Sequence, residues 1–142
     1  MKQRRGADAG QDLVEYALVL PIFLLLVLGV IEFGLLFYQY NVVANAAREG
    51  ARAGIVMETQ DCATACLKDK VISAARAISV GLEPDKLTVT PHLGTTPSVY
   101  GTNQVSVTVT YRTHFMTQTL IEAVGGHGDV TLESTATMQR EF

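Results

Sequence analysis

Three sets of residues could do chemistry: the histidines His92, His114 and His127, the thiols Cys62 and Cys66, and the carboxylates around the most apolar stretch, Asp12, Glu15 and Glu32. The histidines are far apart in sequence and show no metal-ligand spacing, so each reads as a surface or loop residue. Gly125-Gly126-His127-Gly128 is a loop rather than a phosphate cradle, because no Lys-Ser/Thr follows it. No G-x-S-x-G elbow occurs. The pattern predicts no enzyme, no metal and no cofactor. Cys62 and Cys66 form C-x-x-x-C, which outside the cytoplasm favours a small-loop disulfide at the frayed start of a helix. Against it, an i,i+4 pair in a regular helix has poor bridging geometry. Two thiols without a nearby histidine do not make a zinc site, and a redox centre is more often C-x-x-C. Glu15 is a different case. An unpaired carboxylate at the centre of a membrane helix costs on the order of 2.5 kcal/mol or more. In the bland reading Glu15 and Glu32 lie near the two ends of one spanning helix, each solvated at an interface. In the sharper one Glu15 needs a positive partner, which a free amino terminus between packed helices would supply.

The element that must position Glu15 is the stretch Gly10–Tyr38. Ala17–Ile31 carries no charge, Glu32 interrupts, and Phe33–Tyr38 resumes the pattern. Counted over about residues 16–38, the run matches the roughly 20 residues a helix needs to cross a bilayer. Leu, Val, Ile and Phe occupy every face rather than one stripe. A chain of this length could hardly bury such an element on all sides. Pro21 falls early in the helix and removes the hydrogen bond to Ala17, which predicts a kink or local unwinding. In lipid this is tolerated where neighbours re-satisfy the freed carbonyl. Beyond the span, Asn41–Val56 continues as a helix with small residues on one face. Gly50 and Gly54 form G-x-x-x-G with Ala46 extending the row, a spacing that lets two helix backbones approach. The alternative is that the glycines only loosen this end, at roughly 1 kcal/mol each against alanine.

The basic leader Lys2, Arg4 and Arg5, then Gly10, then Glu15 at plus five and Tyr16 beside it, then a long apolar helix, resembles a type IV prepilin processing site. The Glu-Tyr pair resembles the Flp/Tad subclass. The stretch ALVLPIFLLLVLGVIEFGLLFYQYNVVANAAREGARAG is similar to the TadE-like family of pseudopilins, including the early proline and the Ala/Arg/Gly-rich exit. The resemblance covers residues 6–54. It implies a leader over 1–10, cleaved between Gly10 and Gln11 by a prepilin peptidase, and a single-pass protein of the bacterial inner membrane with its amino terminus inside. It further implies helix–helix packing with other pilin subunits, an assembly platform as partner, and a final place in an extracellular pilus, a structure of cell adhesion or secretion. A minor or initiating pseudopilin is the expected role. A major filament subunit and a bitopic, unassembled binding domain are the alternatives. Flp-type major pilins resemble little more than the helix, so the extra head favours the minor role.

Composition agrees. Charged residues are sparse at 18% and hydrophobic ones reach 48%, which fits one membrane element in a chain of 142 residues. The leader's three cations and one acid carry a charge of +2, so its removal would take the net charge from −3 to −5. An acidic product argues against nucleic-acid binding, which rests on basic neutralisation of phosphates. Unlike a secretory signal, the candidate cleavage point precedes the apolar core. Lys2, Arg4 and Arg5 favour an amino terminus inside, against Arg48 and Arg52 beyond the span.

The rest reads as a small soluble head over residues 62–142, after a helix over 11–57. Ala63–Val80 is a helix whose apolar stripe is Leu67, Val71, Ala74 and Ile78, stopped at Gly81. Strands are expected at Lys86–Thr90, ending before Pro91, at Gln104–Thr113 and at Val130–Met138, with alternation that buries one face. Phe115–Val124 holds a helical turn with Phe115, Leu120, Ile121 and Val124 toward the core. The fold class is α+β: a long amino-terminal helix, then a head with one helix and a roughly three-stranded antiparallel sheet.

Overall fold

The structure, a computed structural model, describes residues 5–56, 64–93 and 104–139. In chain order it contains α1 (Arg5–Val56), α2 (Thr64–Ile78), a 3-10 turn (Pro84–Lys86), β1 (Leu87–Leu93), β2 (Gln104–His114), α3 (Gln118–Ala123) and β3 (Asp129–Gln139). The strands form one antiparallel sheet in the order β1-β2-β3. This is the expected α+β architecture. The chain divides into two compact units, Met1–Leu35 and Leu36–Phe142. The expected boundary at residue 10 is not marked by a break, since α1 runs through it. The one expected at 57–62 lies outside the described residues.

In the first unit α1 buries none of its large apolar side chains. Leu13, Leu18, Ile22, Phe23, Leu26, Val30 and Phe33, drawn from all sides of the helix, are exposed. The segment is long and apolar enough to cross a membrane, and a single-pass protein accommodates these side chains in lipid. Pro21 lies inside the helix, which continues on both sides of it, so no unwound segment interrupts the chain there.

The second unit holds the core. Val43, Ala46, Ala47 and Ala51 form one face of α1 and are fully buried, together with Val71 and Ala75 of α2 and Val107 and Val109 of β2. Leu82, Leu87, Val105 and Tyr111 close the cluster. Alternation along β2 points Val105, Val107, Val109 and Tyr111 inward, as its period of two requires.

Four details depart from the expectations. The buried stripe is Leu67, Val71 and Ala75 of α2 with Ser79 just past its end, and Ile78 is exposed. The phase is set by what packs against α1: Val71 and Ala75 are the α2 side chains that stand against Gly50. Buried Ser79 satisfies its hydroxyl by donating to the Ala75 carbonyl at 2.8 Å. Second, β1 continues through Pro91 to Leu93, with Pro91 opposite Val107. An edge strand tolerates proline where the missing N–H would face solvent, and β1 is an edge. Third, Val124 is 90% exposed, because α3 ends at Ala123 and the chain turns away at Gly125, which has φ +87°. Fourth, β3 is less enclosed than β2. Its inward residues Val130, Leu132, Ser134, Ala136 and Met138 are only half-buried.

Candidate functional site

Gly10, Gln11, Glu15, Tyr16 and Pro21 all lie on α1 in the first unit. Nothing stands within 4 Å of the place a Cβ would occupy on Gly10, so the glycine is open on its outer side. Asp12, Glu15, Tyr16 and Val19 line one shallow groove. Their spacing of three, four and seven residues puts them on a single helix face. The helix therefore presents two carboxylates side by side, both exposed, next to a phenol. A cation approaching this face meets Asp12 and Glu15 together. The chemistry available is charge pairing and hydrogen bonding, with an ammonium group as the matching ligand.

Gly50 and Gly54 lie on α1 in the second unit, and both are buried. A Cβ on Gly50 would stand 3.2 Å from Val107 Cγ1 and 3.3 Å from the Ala75 Cβ. On Gly54 it would stand 2.6 Å from Val105 Cγ1 and 3.4 Å from Val71 Cγ2. The small-residue row thus lets α1 approach α2 and the central strand of its own chain. Close backbone approach, rather than looseness, accounts for both glycines here.

Cys66, on α2, is disulfide-bonded. The chain holds one other cysteine, Cys62, which lies outside the described residues.

The histidines are placed on the outer side of the sheet or in turns. His92 pairs in register with Ser106, and His114 with Asp129. Eight residues of β2 separate those two positions, about 27 Å at strand rise, so His92 and His114 do not converge. His127 is exposed in the turn before β3. Lys86, Arg112, His114 and Asp129 border an open surface groove. Among the described residues no cluster of three or more His, Cys, Asp or Glu stands close enough to hold a metal ion.

Several interactions lie beyond the residues singled out in the sequence. The Tyr38 hydroxyl donates to the Val80 carbonyl at 3.3 Å. Arg52 donates to both carboxylate oxygens of Glu49, at 2.9 and 2.6 Å. That hydrogen bond holds Glu49 below its ordinary pKa and raises Arg52 above its own. Lys86 is likewise raised by its hydrogen bond to Glu83, in a salt bridge of 2.9 Å. Thr108 and Thr135 share a hydrogen bond of 2.9 Å across β2 and β3, and Thr137 donates to Ser106 at 3.2 Å. The Glu49–Arg52 pair has a readable i,i+3 spacing. The Tyr38–Val80 bond spans 42 residues and has no local signal.

No curated protein and no solved structure matches the chain. Residues 10–52, from the glycine through the small-residue face, match the family model for TadE-like protein, so over that stretch the chain is similar to TadE-like proteins.

Proposed function

We propose that the protein is a minor or initiating pseudopilin of a Tad-type pilus. It is made with a leader over residues 1–10, held in the bacterial inner membrane with its amino terminus inside, and cut between Gly10 and Gln11 by a prepilin peptidase. It then enters the pilus through its amino-terminal helix. One observation carries this reading. The TadE-like match begins at Gly10 and runs into a helix whose apolar side chains are exposed on all faces. Such a helix needs lipid around it before assembly and other helices after it. The cost of leaving that much apolar surface in water, about 25 cal/mol per Å², keeps it in one of those two environments.

Cleavage creates an ammonium group on Gln11. Asp12 and Glu15 of a neighbouring subunit offer the matching charge. Burying an ammonium group without a partner would cost several kcal/mol, so the pairing also fixes how subunits are staggered. Processing is then the switch for assembly, since the charge exists only in the cut chain. Gly10 suits the peptidase. It is among the weakest helix formers, about 1 kcal/mol below alanine, and the backbone must leave the helix locally to be cut.

The head argues for the minor role. Its core of α1, α2 and β2 makes it a folded domain on the end of the helix, more than a helix-only subunit needs. Copy number in purified filaments separates the roles. A stoichiometry near one per major subunit refutes the minor role. The first test is the intact mass of the chain with and without a Tad prepilin peptidase. Loss of residues 1–10 that needs the peptidase and is blocked at a Gly10→Asp variant supports the reading. An unchanged mass beside an active peptidase leaves a bitopic anchor.

A further inference from the structure

At the end of the apolar run α1 carries three exposed aromatic residues, Phe37, Tyr38 and Tyr40. Aromatic residues of this kind gather at membrane–water interfaces, where the ring lies against the acyl chains and a hydroxyl reaches water. The end of α2 is tied to this level. The Tyr38 hydroxyl donates to the Val80 carbonyl at 3.3 Å, and a Cβ on Gly81 would stand 3.2 Å from that Tyr38 hydroxyl oxygen. Gly81 has φ +85°, and the Val80 N–H donates back to the Ile78 carbonyl at 2.7 Å. This tight turn leaves Val80 pointing outward, 72% exposed, with Ile78 at 41%. Leu82, just past the turn, is buried in the core. The turn therefore shows an apolar side chain to the outside at the residue whose carbonyl Tyr38 bonds.

We propose that this turn is a membrane foot: Ile78 and Val80 enter the headgroup–acyl boundary of the bilayer that α1 spans, beside Tyr38 and Tyr40. The proposal rests on the single-pass reading and goes beyond it, because it gives the soluble head a second lipid contact. The occupant is phospholipid, by continuity: the patch starts where the apolar run ends, and Tyr38 joins the two. The polar groups nearby suit a headgroup layer. Arg76 is exposed one turn before Val80, and its long stem can lie along the apolar surface while the guanidinium reaches phosphate. Lys86 follows the turn and is held by Glu83. Two points of lipid contact, α1 and the foot, restrict how the head can tilt on the membrane. Extraction into a filament must strip both.

The chain has no tryptophan, so one introduced indole reports on one place. The full chain carrying Val80→Trp is placed in phosphatidylethanolamine–phosphatidylglycerol vesicles. The lipids bear bromine either near the headgroup end or near the bilayer-centre end of the acyl chains. Val80 is exposed, so the larger side chain has room, and Ile78→Trp serves as a second probe. The expected result is blue-shifted emission for both, lost on addition of the shallow bromines and largely retained with the deep ones. Val124→Trp, on the exposed turn after α3, should keep its emission with either lipid. Leu24→Trp, within the span, should lose emission to the deep bromines. Retained emission at Val80 and Ile78 while Leu24→Trp is quenched overturns the foot and leaves the span intact. Retained emission at Leu24 refutes the membrane reading itself. Equal quenching at Val124 and Val80 shows a head lying on lipid with no particular foot, and overturns the proposal. A blue shift at Val80 without bromine quenching, lost when the protein is diluted into excess lipid, assigns the patch to a second copy instead.

Discussion

Replacing Gly54 by alanine tests how α1 is held in the head. The added Cβ would stand 2.6 Å from Val105 Cγ1, and 3.5 Å from the Val105 Cβ. Ordinary van der Waals contact begins near 3.4 Å, so α1 and β2 must separate locally by most of an ångström. Valine is stiff about χ1 and cannot swing away freely. The strand cannot move alone either, because β2 is paired on both sides, with Leu93 opposite Val105 on β1 and Met138 opposite it on β3. Overpacking of this kind costs about 1–3 kcal/mol, and the short contact puts Gly54 in the upper half of that range. Alanine returns about 1 kcal/mol through helix propensity. The net expectation is a loss of about 1–2 kcal/mol, or roughly 5- to 30-fold faster exchange of the protected β2 amides. Hydrogen exchange of the full chain in detergent reads this directly, since it follows the head without requiring the apolar helix to unfold. Gly50→Ala is the internal comparison. Its Cβ would meet Val107 Cγ1 at 3.2 Å and the Ala75 Cβ at 3.3 Å, a tight fit that relaxes by a few tenths of an ångström. Strain and propensity nearly cancel there, so the expected change is within about 0.5 kcal/mol. Gly34→Ala, with nothing within 4 Å, should leave the β2 amides unchanged. Unchanged or slower exchange in Gly54→Ala would refute the close packing of α1 on β2.

Glu15→Ala is expected to be inserted and cleaved normally but to assemble poorly, and normal filament levels would count against charge pairing. Because Asp12 shares the Glu15 face, Asp12→Asn should weaken assembly less than Glu15→Ala, and the double variant more than either; filament yield after shearing measures all three. Gly81→Ala should destabilise the head by about 1–2 kcal/mol, since φ +85° is left-handed backbone and the new Cβ presses on the Tyr38 hydroxyl; a thermal melt unchanged by the substitution refutes that strain. For pH, Glu49 titrates below its ordinary value in the folded head because Arg52 hydrogen-bonds it. The stabilisation it lends is present above the unfolded carboxylate pKa and fades as pH falls through the lowered folded value. The pair is solvent-exposed, so the effect should be small and weakened by salt. A carbon-detected titration of Glu49 should move back toward the ordinary value in Arg52→Gln, and an unmoved midpoint removes Arg52 as the cause.

Local periodicity carried the sequence reading a long way. An apolar run with no polar stripe reads as one helix with apolar side chains on every face, and about residues 16–38 do lie within α1 with their large apolar side chains exposed. Strict alternation in Gln104–His114 and Asp129–Gln139 marks strands with one inward face, because side chains on a strand alternate whatever it packs against. The shared face of Asp12, Glu15, Tyr16 and Val19 follows from the same kind of rule, because three- and four-residue intervals on a helix are geometry. What these patterns leave open is phase and partner. In α2 and just past its end, Ala74 and Ile78 fit an apolar stripe as well as Ala75 and Ser79 do. The face that packs on α1 is the one with Val71 and Ala75, which stand against Gly50, and Gly50 is remote in sequence. Pro91 stays in a strand only because β1 became an edge. Val124 is apolar and exposed because Gly125 turned the chain before it could fold back. Gly50 and Gly54 announced close packing, but only the tertiary structure showed α2 and Val105 and Val107 of β2 as the partners. The Tyr38–Val80 bond joins residues that share no local pattern. Sequence by itself determined which elements form, since each follows from interactions a few residues apart. The tertiary structure decided which faces meet, since that depends on the volumes of side chains brought together from distant parts of the chain.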